Sequence, residues 1–331
     1  MTASGTATVR AHANIALAKY WGKADVVKNL PAVPSLSLTL DGMRTTTRVT
    51  FDPGLSADEL ELGGAPQLGK PLARATKLLN EVRALAGVST FARIHSHNDF
   101  PTASGLASSA SGFAALALAA VSALELPLSR DRVSALARAA SASAARSLYG
   151  GYVELGASAE SAARVAPPEH WPLCMLVAVT SEAAKDTGST DGMQHTARTS
   201  PYYSSWVSDA PRLFAEVKAA VLAKDFERLA VAAEQSALAM HASMLAASPA
   251  LIYFRPATLA VIEAVRAARR SGTPACFTID AGPHVKVLVE PASAESLRRA
   301  LSGVEGVLRV LESAPGPDAA RVSAQLPELD P

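Results

Sequence analysis

Residues 98–112 read Asn98-Asp-Phe-Pro-Thr-Ala-Ser-Gly-Leu-Ala-Ser-Ser-Ala-Ser-Gly112, a proline and small residues that run into a long apolar, Ala-rich segment. That order predicts a helix over about residues 106–124 whose first backbone N–H groups stand open to an anion. Those N–H groups have no partner within the helix, and the helix dipole leaves roughly half a positive charge beside them. Small side chains would let a phosphate touch the backbone. Ser108 and Ser109 add hydroxyls for phosphate oxygens or for a Mg2+ ion. The same letters also describe a Ser-capped helix packed closely through its alanines, and spacing alone leaves both readings standing.

Four other groups could carry chemistry. Lys19-Tyr-Trp-Gly-Lys23 brackets two aromatics with lysines in a chain that is only 5% aromatic; Lys19, Tyr20 and Lys23 could reach an anion, or lie in water beside a core Trp21. Ser141, Ser143 and Arg146 could form a clamp for a phosphate or carboxylate, or simply end a Ser-rich helix before Gly150-Gly151. Glu234 and His241 fall on one face of an expected helix, as a structural pair or a site wall. Asp280-Ala-Gly-Pro283 sets an acid where an apolar strand breaks into a turn, so it either bonds its own backbone or faces a substrate hydroxyl. Two further patterns lead nowhere. Gly64–Lys70 resembles a P-loop, but Pro71 stands where Ser or Thr should be, and a loop is expected. His95 and His97 share a strand face without a third ligand at readable spacing.

These groups need a scaffold, and the composition supplies one. The 331 residues are 49% hydrophobic and 18% charged, enough apolar material for one large or two medium domains. A net charge of +1 argues against a nucleic-acid partner, and any anion site must be local. Cys174 and Cys276 stand alone in apolar runs, with neither zinc nor disulfide spacing, which suits a reducing cytoplasm. No charged start precedes an apolar core at the N-terminus and no apolar run reaches about 18 residues, so a soluble, unprocessed protein with no membrane partner is expected.

The pattern predicts a strand over 6–17 and a hairpin of Ser35–Leu40 and Thr45–Phe51 turning at Asp41-Gly42. A second hairpin is expected at Glu59–Leu62 with Gly63-Gly64, followed by a helix over 71–86 and a strand at 91–97. Another helix is expected from Ser129. The prolines of Ala166–Pro172 mark the domain boundary, giving domains of 1–168 and 173–331. Beyond it come a buried strand at 173–179, a polar stretch from Ser181 to Met193, and helices near 209–223, 226–245 and 257–270.

Six blocks together resemble the diphosphomevalonate decarboxylase family of the GHMP small-molecule kinase superfamily. They are Asn14–Lys23, Pro101–Ala110, Arg146–Glu154, Thr187–Met193, Met240-His241 and Phe277–Pro283, in the family's order. The resemblance implies an α+β fold of two lobes, an N-terminal lobe like the second domain of ribosomal protein S5 and a C-terminal ferredoxin-like lobe carrying the catalytic Asp. It implies ATP-dependent decarboxylation of (R)-mevalonate 5-diphosphate to isopentenyl diphosphate, ADP, phosphate and CO2, with ATP and Mg2+ as cofactors and a homodimer as the assembly.

By that resemblance Asp280 orients or deprotonates the C3 hydroxyl, with Lys23 and Ser108 also catalytic. Lys19, Tyr20, Trp21, Lys23, Ser141, Ser143, Arg146 and Ser189 would bind substrate. Ser96, Asn98, Pro101, Thr102, Ala103, Ser104, Gly105, Leu106, Ala107, Ser108, Ser109 and Lys185 would bind ATP, with Ser108 and Ser109 close to Mg2+.

The chain departs from the family pattern at Ala140 and Ala142, where glycines are usual, and at His284, where Asn is usual. Two added methyl groups would tighten the substrate pocket. A phosphomevalonate decarboxylase or a mevalonate 3-kinase on the same fold is therefore an alternative, as is a non-catalytic nucleotide-binding protein.

Overall fold

Two long strands near the N-terminus carry the molecule. In the computed structural model, which describes residues 3–100, 108–183 and 186–323, β1 (Gly5–Ala18) is followed by short β2 (Lys23–Asp25) and β3 (Leu30–Pro31), which pair with each other, and by β4 (Ser35–Phe51). β4 runs antiparallel to β1 from Gly5↔Phe51 to Ala18↔Leu36. The expected hairpin within residues 35–51 does not form: β4 is one strand of 17 residues. Asp41-Gly42 supplies a bulge instead, where the register jumps from His12↔Arg44 to Asn14↔Thr39. The chain near residue 315 fills that bulge. Asp41 N–H donates to Ala314 O at 3.0 Å, Gly42 N–H to Ser313 Oγ at 2.9 Å and Gly316 N–H to Thr39 O at 2.7 Å.

The first half continues through β5 (Glu59–Leu62), β6 (Ala65–Pro66), α1 (Lys70–Ala86), β7 (Ala92–Asn98), α2 (Ser108–Ala123) and α3 (Arg130–Ala140). A 3-10 segment, Ala142–Leu148, then leads to β8 (Tyr152–Leu155) and β9 (Ala163–Ala166). The expected hairpin of β5 with β6 forms, and β5 also pairs in parallel with β7. Pro71 starts α1, its Ala75, Leu78, Leu79 and Val82 face the core, and Gly87 in the left-handed region stops it. The alanines of α2 are its packing device. Ala114, Ala115, Ala117, Ala119 and Ala120 are fully buried, and side chains this small let a helix lie close against β1 and β4.

The second half runs β10 (Cys174–Val179), α4 (Ser189–Thr199), α5 (Tyr203–Ala223), α6 (Phe226–Leu245), α7 (Pro256–Arg270), β11 (Ala275–Ile279), β12 (Val285–Val289), α8 (Pro291–Ser302), β13 (Arg309–Ser313) and β14 (Ala320–Arg321). Helix α4 starts inside the stretch read only as polar, because Gly188 ends the loop and Ser189 opens the helix. The second sheet has the order β11-β12-β10-β13, all antiparallel. The first has the order β14-β1-β4-β7-β5-β6, with β8 beside β4 and β9 beside β8. The last strand thus returns to the first sheet. Ile15 and Leu17 of β1 share one buried cluster with Met175, Val177, Cys276 and Leu288 of the second sheet, so apolar packing joins the two halves directly. Among the described residues no helix is long and apolar enough to cross a membrane.

Candidate active site

Two strand ends and one position within a strand bring opposite charges together at the junction of the sheets. Asp280 follows β11, Lys19 follows β1, and Lys286 lies in β12 opposite Thr278 and Val177. Lys19 Nζ donates to Asp280 Oδ1 at 2.6 Å, and Lys286 Nζ pairs with Oδ2 at 3.1 Å. The two lysine side chains are 1% and 0% exposed, while Asp280 keeps 26% of its side chain open. Burial works against the Asp280 charge, but Lys19 and then Lys286 outweigh it and hold its pKa well below the usual carboxylate range. Burial pulls Lys19 down to about 8, with Asp280 opposing the fall.

The backbone that presents Asp280 is fixed from two sides. Gly282 N–H donates to Asp280 O at 2.7 Å, and His241 Nε2 bonds the same carbonyl at 3.1 Å. Burial, with help from Lys19, lowers the His241 pKa to about 4, so the ring is neutral and donates through Nε2. His241 serves the site, whereas Glu234 turns to Arg269 at 2.7 Å and to the backbone N–H of Phe277 at 3.2 Å. One residue of that helix face is a wall, and the other is a brace.

Arg146 is held just as firmly. It is 2% exposed. Its Nε donates to Ser37 Oγ at 2.9 Å and to Asn14 Oδ1 at 3.3 Å, and Nη1 donates to Ser35 Oγ at 2.5 Å. Asn14 Nδ2 in turn donates to Ser147 Oγ at 2.8 Å and to Ser143 O at 3.0 Å, tying β1 to the 3-10 segment. Burial lowers the Arg146 pKa to about 10, still charged at neutral pH, with Tyr20 and Asp280 close enough to favour the charge. None of Asn14, Ser35, Ser37 or Lys286 was singled out from the sequence for this site.

A second cluster of donors lies around Lys23. Its Nζ reaches Thr190 Oγ1 at 3.5 Å at the start of α4, beside Ser189. Burial and nearby Arg74 lower its pKa, against Asp191. Arg74, from α1, donates to Ala140 O at 2.9 Å. Ser141 and Ser143 place their hydroxyls 3.4 Å apart. The Tyr20 hydroxyl is buried with no hydrogen-bond partner among the described residues. Trp21 sits deeper than expected: it packs with Met193, Trp206, Met240 and Tyr253, and its carbonyl accepts from Trp206 Nε1 at 2.8 Å. Between Trp21 and Lys23 the chain turns through Gly22 at φ 114°, where a Cβ would lie 2.1 Å from the Tyr203 hydroxyl.

The third part is the start of α2. No acidic residue lies in its first turn, and a Cβ on Gly112 would meet nothing within 4 Å among the described residues. Ser111 Oγ bonds Thr45 Oγ1 at 2.6 Å, and Thr45 bonds Asn98 Oδ1 at 2.6 Å, bracing the helix against β4 and β7. Asn98, expected at a nucleotide, takes part in this bracing. The Ser96 hydroxyl is used by Thr47 at 2.9 Å on the buried face of the sheet, and strand alternation turns it to the core side. Pro101–Ala107 and Lys185 lie outside the described residues. Lys19, expected at the substrate, is paired with Asp280, which offsets the cost of burying its ammonium.

The departures find local explanations. Neither Ala140 nor Ala142 takes a positive φ; Ala142 is buried in the first sheet's core cluster, and the partly buried Ala140 packs against that cluster. His284 is fully buried and its Nδ1 accepts from Thr180 N–H at 3.2 Å, fastening the turn after Asp280 to the end of β10.

Family models match both halves: a diphosphomevalonate decarboxylase-like N-terminal domain over residues 11–166 and a mevalonate 5-diphosphate decarboxylase C-terminal domain over 175–313. The diphosphomevalonate decarboxylase of Candida albicans is 34% identical across 97% of this chain and 99% of its own length. Among solved structures, mevalonate diphosphate decarboxylase from Enterococcus faecalis, described for its mevalonate diphosphate mediated ATP binding, is 40% identical with a TM-score of 0.88, covering 97% of this chain and all of that one. A structure described as MDDEF in complex with MVAPP, AMPPCP and magnesium is 41% identical with a TM-score of 0.90 over the same shares.

Proposed function

We infer a division of labour in the site from one premise: the chain belongs to the diphosphomevalonate decarboxylase family. It is an ATP-dependent decarboxylase of mevalonate 5-diphosphate. The reaction solves a leaving-group problem. Phosphoryl transfer from ATP turns the tertiary C3 hydroxyl into a phosphate ester, which leaves as phosphate while the neighbouring carboxylate collapses to CO2 and an alkene.

Asp280 is the residue that meets the C3 hydroxyl. The observation that carries this is its carboxylate, anchored by Lys19 and Lys286 at opposite oxygens yet open on one face at the junction of the sheets. Held ionised, it accepts the hydroxyl proton in a hydrogen bond and aims the oxygen, as an aspartate does in kinases. Arg146, with its fork already locked by Ser35, Ser37 and Asn14, binds the substrate carboxylate or diphosphate. Lys23, Ser141, Ser143 and Ser189 take the diphosphate end, with Arg74 beside Lys23 adding charge. The unpartnered Tyr20 hydroxyl supports a donor role toward the same ligand.

The open, acid-free first turn of α2 suits nucleotide phosphates, with Ser108 or Ser109 toward Mg2+. Among the described residues no three His, Cys, Asp or Glu side chains gather as a metal site. That donor set fits an ion held mainly by phosphate oxygens and water. Bound Mg2+ would neutralise charge on the transferred phosphoryl group. The core packing of Ala140 and Ala142 supports the diphosphate substrate over the monophosphate. Two buried free thiols suit the cytoplasm.

The test is an ATP-coupled assay with mevalonate, its 5-phosphate and its 5-diphosphate in parallel, following ADP and CO2. Equal ADP and CO2 from the diphosphate alone is the expected result. Release of both from the monophosphate would overturn the substrate assignment, and ADP without CO2 would mean a 3-kinase.

A further inference from the structure

Lys286 is in a costly place. It occupies an interior position of β12, paired across to Val177 on β10 and Thr278 on β11, in the middle of the second sheet. Strand alternation puts it on the face that sends Val177, Cys276 and Leu288 into the core between the sheets. It is 0% exposed. A valine or leucine would fill such a position without the expense of desolvating an ammonium, and replacing buried ion pairs by apolar side chains is often neutral or stabilising. Packing therefore does not account for a lysine here.

Its contacts do. Nζ reaches Asp280 Oδ2 at 3.1 Å and the His284 carbonyl at 3.4 Å. The other Asp280 oxygen belongs to Lys19 at 2.6 Å. The two lysines differ in origin. Lys19 arrives from the first sheet, while Lys286 is one strand away from Asp280 in the same sheet. A polyanionic ligand that draws the Lys19 ammonium toward its own oxygens leaves Lys286 where the sheet holds it.

We propose that Lys286 is a positioning residue for decarboxylation, anchoring Asp280 by Oδ2 so that Oδ1 keeps facing the C3 hydroxyl when substrate engages Lys19. It touches no substrate atom itself. Among the described residues the other groups facing Asp280 are Lys19, the neutral His241 on its backbone carbonyl, and Arg146 at longer range. None of these grips Oδ2. Without Lys286 the carboxylate is free to turn, and one of the two close cations that favour its ionised form is gone.

The proposal rests on Asp280 acting at the C3 hydroxyl, so Lys286→Met, Asp280→Asn and the double variant are made together. Methionine keeps the length and apolar stem. In Lys286→Met, kcat falls by about 10-fold to 100-fold, as for a misplaced catalytic group, while KM for the diphosphate stays within about threefold of wild type. A fall in kcat with KM held is a split that a merely structural role would not produce, and Lys286→Arg, which restores a cation, recovers part of the rate. In the Asp280→Asn background the Lys286→Met change costs no further activity. A folded Lys286→Met enzyme with wild-type kcat overturns the proposal, as does a double variant at least about tenfold worse than Asp280→Asn. If Lys286→Met alone fails to fold by circular dichroism, the double variant decides, since it removes both ends of the pair. Full turnover in Asp280→Asn would instead overturn the role of Asp280 itself.

Discussion

At one end of the proposed site Asp280, Lys19, Lys286 and Arg146 are side chains held from β1, β4, β11, β12 and the 3-10 segment by their own hydrogen bonds and ion pairs. At the other end, the first turn of α2 offers small side chains and backbone N–H groups, braced from below through Ser111, Thr45 and Asn98. In the proposed function the first end binds through a few irreplaceable groups, and the second through many similar ones. Sensitivity to single substitutions should therefore be steep at the Asp280 end and shallow at the α2 end.

The steepest case is Asp280→Asn. It keeps shape and removes the charge, so kcat should fall by about 10²-fold to 10⁴-fold, the range for a positioned acid–base group, with ATP binding near normal. Near-wild-type turnover would break the comparison at its centre. Next comes Arg146→Lys. An ammonium cannot serve Ser35, Ser37 and Asn14 while presenting a fork to the ligand, so KM for substrate should rise or kcat fall by about 10-fold to 100-fold. The buried hydroxyls left behind should also lower thermal stability, at about 1–3 kcal/mol for each unsatisfied group. A lowered melting temperature with unchanged kinetics would make Arg146 a brace only.

Ser108→Ala probes the shallow end. The α2 backbone and dipole persist without the hydroxyl, so an effect of about tenfold is expected, concentrated in the Mg2+ dependence of the rate. Titrating Mg2+ at fixed ATP reads it. A loss equal to that of Asp280→Asn would show that the α2 end also hangs on one side chain, and the contrast between the ends would vanish.

The same contrast governs what could be read from the amino-acid order. The α2 end is local: proline, glycine and serines sit next to one another, so the helix and the proposed anion site are read from one stretch. The Asp280 end is assembled from residues far apart in the chain. Asp280 itself was visible as an acid at a strand end, but Lys286, a lone lysine in Val285-Lys-Val-Leu-Val289, reads as an edge charge until the strand is known to lie between β10 and β11. Ser35 and Ser37 alternate with leucines as any half-exposed strand would. The hairpin expected at Asp41-Gly42 failed for a related reason: the same dipeptide suits a bulge, and a segment from near residue 315 settles which one forms. Ala140 and Ala142 looked like pocket changes because proximity to Arg146 in the chain says nothing about which way a methyl group points.

The gentlest test uses pH alone. Burial brings the Lys19 pKa from its ordinary 10.5 to about 8, with Asp280 pulling the other way. If the Lys19 ammonium helps hold Asp280 and meet substrate, kcat/KM falls as pH rises and stands at half its plateau near pH 8. Stability moves in the opposite direction. The unfolded chain still binds that proton up to about 10.5, so between the two values it carries more protons than the fold, and this group makes the fold more stable as pH rises. Activity lost between pH 8 and 9 with an undiminished melting temperature is thus the signature of Lys19 and not of alkaline unfolding. Lys19→Arg keeps a cation throughout that range, and its basic limb should move to higher pH. A limb that stays near 8 in this variant would assign the titration to another group and leave Asp280 dependent on Lys286 for its hold.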